Sequence, residues 1–148
     1  EFVGISTLIR LKQLLLYTEK IICRLFKKLY EVITFANLFC LNFEFKSFYI
    51  IPKNYTLRSY YCEQNNCHPK SWVIEGSNDN GDWEQLDQQQ NTDVLNGPNI
   101  IHTFPIQNSK NTKFKFIRMR QTDINWNPSD CAKNHFVLNN IEFYGNLI

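Results

Sequence analysis

Residues 71–87 read SWVIEGSNDNGDWEQLD and contain the clearest structural pattern in the chain. Trp72 begins an apolar run, and Trp83 follows it after the polar segment Asn78-Asp79-Asn80-Gly81. Asparagine and glycine adopt the positive φ angles that a tight hairpin turn needs. The stretch therefore predicts two antiparallel strands joined by a short turn, with both tryptophans buried in a core.

Working outward, the hydrophobic pattern keeps a period of two residues on both sides of this hairpin. Leu41, Phe43 and Phe45 alternate with polar residues, as half-buried strands require. Further strands are predicted at 55–60, 100–106, 113–120 and 136–144, a turn at 52–54 and a mobile loop at 88–92. Several short strands with turns between them indicate an all-β sandwich or barrel. Near residues 116 and 117 the buried parity switches, which indicates either a bulge or a strand buried on both faces.

Four segments, in this order, resemble the discoidin-type domain, also called coagulation factor V/VIII type C: 41–46 with 51–59, 71–79 with Trp83 and 86–87, 116–122, and 141–145. The resemblance covers residues 41–145. It implies a jelly-roll β-sandwich of the galactose-binding type, whose core includes Trp72, Trp83, Phe116 and Phe143. It also implies a binding module rather than an enzyme, because members bind glycans, phospholipid head groups or peptides.

The N-terminal segment follows a different pattern. From Leu8 to Ala36 the apolar residues recur at helical spacing, and basic residues lie on the opposite side. We therefore divide the chain into an amphipathic helical segment, 1–40, and a discoidin-like domain, 41–148, that we expect to lack some N-terminal strands and to belong to a longer protein. The helix either packs on a domain or binds a membrane surface through its basic face.

Charge and cysteine content restrict the partners and the compartment. Residues 1–40 carry a net charge of about +3 and the remainder about −1, so no basic footprint for nucleic acid is predicted in the body of the chain. The five cysteines are odd in number and form no pair of CxxC motifs. They predict free thiols in a reducing, cytoplasmic setting. Free thiols, together with the absence of cysteines at the two ends of the domain, resemble the intracellular branch of the family.

Cysteine and histidine residues occur together at two places. Cys62, Cys67 and His68 could supply three zinc ligands, and Cys131 with His135 could complete a site across the fold. No fourth ligand lies near the first group in sequence, so coincidence is the better interpretation. We predict no metal, no cofactor and no catalytic residue.

The candidate ligand contacts are Arg58, His68, Asn125 and Trp126. Arginine offers a planar fork of donors, and tryptophan offers a flat apolar face to a sugar or a peptide. The sequence thus predicts a non-catalytic module that binds a glycan or a protein or peptide partner, within an intracellular adaptor or scaffold protein. The alternative is attachment to phospholipid head groups through the basic helix and exposed aromatic loops.

Overall fold

The computed structural model describes residues 27–28, 40–108, 110–129 and 135–148, which contain eight β-strands in two antiparallel sheets. The strands are β1 (Lys27–Lys28), β2 (Cys40–Glu44), β3 (Ile50–Ser59), β4 (Trp72–Ser77), β5 (Glu84–Gln89), β6 (Ile101–Pro105), β7 (Phe116–Gln121) and β8 (Leu138–Leu147). The first sheet has the order β1-β8-β3-β6 and the second the order β2-β7-β4-β5. The all-β prediction is confirmed for the described residues of the range 41–145.

The core lies between the two sheets and is built by the alternation that the sequence shows. Trp72 and Phe143 are fully buried, as predicted. Aromatic rings from both sheets meet there: Phe43 lies edge-on to Phe143 with ring centroids 5.2 Å apart, and Trp72 lies edge-on to Phe104 at 5.4 Å. Edge-to-face pairs of this kind stabilise a core beyond the apolar area that they bury.

The predicted hairpin is β4 and β5, paired from Trp72 opposite Gln89 to Gly76 opposite Glu84. In its turn the residue with positive φ is Asn80, at 61°. Gln88 and Gln89 belong to β5, so the loop predicted at 88–92 is wrong at these two residues. They extend the ladder because β5 pairs with β4 as far as Trp72.

Two predicted core residues, Trp83 and Phe116, are instead half-buried on the outer side of the second sheet. Leu86 faces the core. Because successive side chains alternate between the two faces of a sheet, Trp83, three residues earlier, points to the outer face. Phe116 shares its face with Arg118, whereas Ile117 points inward. A sequence pattern that shows two aromatic residues beside a strand does not reveal which face they occupy.

The change in the burial pattern near residues 116 and 117 comes neither from a bulge nor from a strand buried on both faces. Burial alternates regularly from Phe116 to Gln121. Phe114 is buried outside the strand, where it forms an isolated bridge with Ile50. The chain crosses between the sheets at this point, and the crossing produces the change of parity.

The turn predicted at 52–54 lies inside β3, which continues to Ser59. A register shift against β8 occurs between Pro52 and Asn54. Proline has no N–H to donate to the ladder, and the shift accommodates it. Opposite Pro52 stands Gly145, where any Cβ would collide with the carbonyl oxygen of Ile51.

Most of the N-terminal segment lies outside the described residues, and so does most of the helix predicted there. Its described part, Lys27–Lys28, is a strand that pairs with Ile141 and Asn140 of β8, which corrects the helix prediction at these two positions. Within the described residues, no helix is long and apolar enough to span a bilayer. Cys40, Cys62 and Cys67 are free thiols, while Cys23 and Cys131 lie outside the described residues.

Candidate functional site

Three long loops meet at one end of the sandwich. Strands β3, β5 and β7 end there, and β4, β6 and β8 begin there, so the connections 60–71, 90–100 and 122–137 converge. We call their described residues the loop end. Loops that a rigid sandwich positions in this way are the usual place for a binding site.

Hydrogen bonds join these loops to one another. The side chains of Asn65 and Asn96 face each other: Asn96 Oδ1 accepts from the Asn65 backbone N–H at 2.7 Å, and Asn96 Nδ2 donates to Asn65 Oδ1 at 2.8 Å. The backbone N–H of Thr92 donates to Lys70 O at 3.0 Å. The side-chain amide of Asn127 donates to Asn66 Oδ1 at 3.2 Å. Each loop is therefore held by at least one other.

Trp126 lies at the centre of this arrangement and is half-buried. Its indole Nε1 donates to the backbone oxygen of Thr92 at 3.3 Å. The ammonium group of Lys70 lies over the ring, 4.9 Å from its centroid. The indole is thus fixed at its polar edge, with part of the ring accessible and a cation beside it. Among the four candidate contacts, Trp126 is the residue that the structure places on the surface of the loop end.

His68 is fully buried, so as the structure places it this side chain contacts no external ligand, which corrects the prediction. Its Nε2 lies 3.1 Å from Cys62 O and 2.9 Å from Glu63 O. Carbonyl oxygens only accept hydrogen bonds, so Nε2 carries the proton and donates. The imidazole closes the 62–68 loop from inside.

The thiol of Cys62 lies beside His68 and is not activated by it. Cys62 Sγ lies 3.7 Å from His68 Nε2. Desolvation by burial raises the pKa of the Cys62 thiol, which therefore stays protonated at neutral pH. Among the residues that the structure describes, no group of three or more His, Cys, Asp or Glu side chains is arranged to hold a metal ion.

Asn125 is also buried, and its side chain serves the loop itself. Its Oδ1 accepts from the backbone N–H of Asn127 at 2.7 Å, and its Nδ2 donates to the backbone oxygen of His135. This is an Asx-type turn that shapes the chain around Trp126. The prediction of a direct ligand contact is corrected, because the buried side chain of Asn125 forms these hydrogen bonds with the backbone of its own loop.

Arg58 is exposed on the outer face of the first sheet, opposite Ile101 of β6 and Asn140 of β8. It alternates with the buried Leu57, so it points away from the core and lies on a strand outside the loop end. Arg58 is followed by Ser59, the last residue of β3, and its role as a ligand contact stays a prediction.

On the second sheet, Arg118 and Arg120 form an ion-paired surface. Arg118 Nε donates to Glu75 Oε2 at 2.7 Å, and Arg120 binds the same carboxylate at 3.3 Å. The Arg118 guanidinium also lies 3.9 Å from the centroid of the Trp83 ring. Burial alone would raise the pKa of Glu75, but the hydrogen bonds from the two arginines lower it overall. These groups satisfy one another on the outer face of the second sheet.

Three solved structures are similar to this chain. CBM32-3 from a family 31 glycoside hydrolase of Clostridium perfringens is 13% identical, with a TM-score of 0.55 over 78% of this chain and 72% of that one. The family 32 carbohydrate-binding module of Streptococcus pneumoniae EndoD is 7% identical, with a TM-score of 0.53 over 72% and 69%. The C-terminal domain of a chitobiase from Bacteroides fragilis is 12% identical, with a TM-score of 0.46; the match covers 68% of this chain but only 59% of that one.

The chain has the discoidin-type, galactose-binding-like fold. No protein-family model matches the sequence, and neither does any curated protein. At these identities the likeness establishes the architecture, while the function must be argued from the side chains of this discoidin-like sandwich.

The loop end of the discoidin-like sandwich also carries Tyr61, which was not among the contacts predicted from the sequence. Tyr61 is 65% exposed, and its ring centroid lies 4.1 Å from that of Tyr60. The signal was present in the sequence as two consecutive tyrosines directly after a strand, where the second has no place in the core. With Trp126, Tyr61 gives the loop end two accessible aromatic surfaces.

Proposed function

We propose that this chain is a non-catalytic module that binds a glycan through its loop end. The observation that carries the proposal is the presence of Tyr61 and Trp126, both accessible, on loops that hydrogen bonds hold together. The fold likeness to two carbohydrate-binding modules supports it.

The chemistry of the surface suits a sugar. Aromatic side chains offer apolar faces to the C–H groups of a pyranose ring, and polar groups beside them can bind its hydroxyls. Lys70 supplies an ammonium donor at the Trp126 ring, and Asp93 supplies an exposed carboxylate on the neighbouring loop. Because the loops are joined in advance, little conformational entropy is lost when a ligand binds.

The same region argues against catalysis. The pairing of a thiol with an imidazole is the arrangement that could suggest a nucleophile, but the thiol of Cys62 has a raised pKa. His68 uses its Nε2 proton to bind two carbonyl oxygens and is enclosed by protein. Neither group is available to attack or to accept a proton from a bound substrate.

A glycan array followed by titration calorimetry with the best neutral glycan tests the proposal. Trp126→Ala and Tyr61→Ala should each weaken binding, Trp126→Ala by about tenfold or more, as expected for an aromatic residue at the centre of a binding surface. The matched control is Trp83→Ala, which removes the same side chain from the other end of the sandwich and should leave the affinity unchanged. Folded Trp126→Ala protein with the parent affinity would contradict the proposal.

Three narrower predictions from the sequence stay predictions. They are a protein or peptide partner, a place in a cytoplasmic adaptor or scaffold, and membrane attachment through residues 1–40. Co-sedimentation with liposomes at low and high salt tests the last, because electrostatic attachment weakens as ions screen it.

A further inference from the structure

A second surface lies at the end of the sandwich opposite the loop end. There the β2–β3 connection and the β6–β7 connection lie side by side: Phe45 N donates to Lys115 O at 2.9 Å, and Ile50 and Phe114 exchange backbone hydrogen bonds. Five lysines occupy these connections and the adjoining start of β3, and we call them the lysine track: Lys46, Lys53, Lys110, Lys113 and Lys115.

The members of the lysine track are contiguous. Lys115 Nζ donates to the backbone oxygen of Lys46 at 2.7 Å. Lys53 Nζ donates to the side-chain oxygen of Asn111, which lies between Lys110 and Lys113 in the same connection. The two hydrogen bonds therefore tie Lys115 to the 45–49 turn and Lys53 to the 110–115 segment, which brings the five lysines to one end of the sandwich.

The lysine track carries an excess of positive charge. Within the described part of the chain, none of the five lysines forms an ion pair with a carboxylate. Five positive charges thus stand close together in a chain whose formal net charge is only +2. Like charges held together raise the free energy of the free protein, and a polyanion would relieve that repulsion.

The ring of Tyr49 contacts two lysines of the track. The ammonium groups of Lys113 and Lys115 lie 4.7 Å and 5.4 Å from the centroid of the Tyr49 ring. Each cation is attracted by the ring, which offsets part of their mutual repulsion. Phe48 is 40% exposed and Tyr49 36%, so both rings are accessible beside the lysines.

An acidic cleft adjoins the lysine track. Its volume is about 420 Å³, and Asp79, Asp82 and Glu84 are among the residues that line it. The side chain of Asn78 joins the two features, because it donates to Lys113 O at 3.0 Å and accepts from Lys115 N at 2.9 Å. A broad anionic surface pressed against this end would bring its charges against these carboxylates.

We propose that the lysine track binds a linear anionic polysaccharide that carries sulfate or carboxylate groups. A polymer about one sugar wide can follow the lysines and avoid the acidic cleft, whereas a flat membrane cannot. Lysine suits this role because its ammonium acts as a point charge without the bidentate geometry that arginine imposes. The surface is separate from the loop end and does not depend on the glycan-binding function proposed for it.

Heparin is the probe, with the full chain titrated at about 50 mM and 300 mM NaCl, since screening should weaken an electrostatic complex. Lys113→Gln should weaken heparin binding about twofold to fivefold, the range expected for one exposed charge pair, and Lys46→Gln/Lys113→Gln should weaken it further. The matched control is Arg58→Gln, which removes one exposed positive charge from the first sheet and should leave the affinity unchanged. All variants should keep the parent unfolding midpoint.

Three results would overturn the proposal. The first is equal loss in Arg58→Gln and Lys113→Gln, which would indicate a response to net charge alone. The second is loss of heparin binding in Trp126→Ala, which would place the polymer at the loop end. The third is binding of single-stranded DNA or phosphatidylserine vesicles with the same affinity and the same dependence on Lys113. Loss of heparin binding in the lysine variants with neutral-glycan binding intact would support this proposal independently of the other.

Discussion

Tyr55 joins the two sheets through its hydroxyl group, and Tyr55→Phe tests how much that group stabilises the sandwich. The hydroxyl accepts from the indole Nε1 of Trp72 at 2.9 Å and donates to Asp87 Oδ2 at 2.5 Å. Burial, and then the hydrogen bond to Asp87, raise the pKa of Tyr55 far above its usual value, so the hydroxyl stays protonated and donates. The ring itself stacks on Phe104, with centroids 5.0 Å apart.

The expected loss follows from the groups left behind. Trp72 is fully buried, so its indole N–H would lose its acceptor at a cost of about 1–3 kcal/mol. Asp87 is half-buried and keeps the amide of Gln89 at 3.0 Å, so it should lose only about 1 kcal/mol. The total is about 2–4 kcal/mol, which corresponds to a fall in Tm of roughly 6–16 °C for a protein of this size.

Urea unfolding followed by tryptophan fluorescence measures the loss. Tyr49→Phe is the matched control, since it removes a hydroxyl from a surface ring and should change stability by less than about 0.5 kcal/mol. In a Trp72→Phe background, Tyr55→Phe should cost less than it does alone, because the orphaned indole donor is absent. A Tyr55→Phe protein as stable as Tyr49→Phe would refute the assignment of the hydroxyl as a link between the sheets.

Four further outcomes are expected. The free energy of unfolding of the parent should decrease as the pH drops below about 4.5 and through the lowered pKa of Glu75, because protonation of Glu75 breaks its ion pairs with the two arginines. In urea titrations between pH 3 and 7, Glu75→Gln should not show this loss of stability. Gly145→Ala should cost more than about 2 kcal/mol in thermal melts, since the new Cβ meets backbone. Gly81→Ala should be nearly neutral, because its Cβ would make only ordinary van der Waals contact with the side chain of Asp79. Trp83→Ala should cost about 1–2 kcal/mol, less than a core tryptophan, and a loss as large as that of Trp72→Ala would contradict its half-buried position. Thiol titration of unfolded, unreduced protein should find most of the five cysteines free, and finding one or none would indicate two disulfides.

The hairpin was predictable because a period of two and a turn of asparagine and glycine are local signals. Both signals depend only on neighbouring residues, so β4 and β5 could be predicted without knowing which distant residues they contact. The face occupied by Trp83 was not predictable. Its position depends on the register of β5 and on the shift between Ile74 and Glu75, and register is a property of the paired strands.

The candidate site was only partly predictable for a related reason. A polar residue in a loop can bind a ligand or satisfy the loop's own backbone, and the sequence pattern is the same in both cases. His68 and Asn125 do the second, and they are buried as a result. Trp126 and Tyr61 are large aromatic residues that keep part of their rings accessible, although Trp126 also donates to the backbone oxygen of Thr92, and this accessibility is the more informative signal.

The reciprocal pairing of Asn65 and Asn96 also determines how the loop end responds to chemical change. Each side chain serves as donor or acceptor for the other residue, and the amide nitrogen of Asn96 is one of the donors. Conversion of Asn96 to aspartate would replace that donor by an acceptor and set two oxygens against each other at 2.8 Å. A single hydrolysed amide would thus weaken one of the links between two loops of the binding surface, without altering any aromatic residue on it.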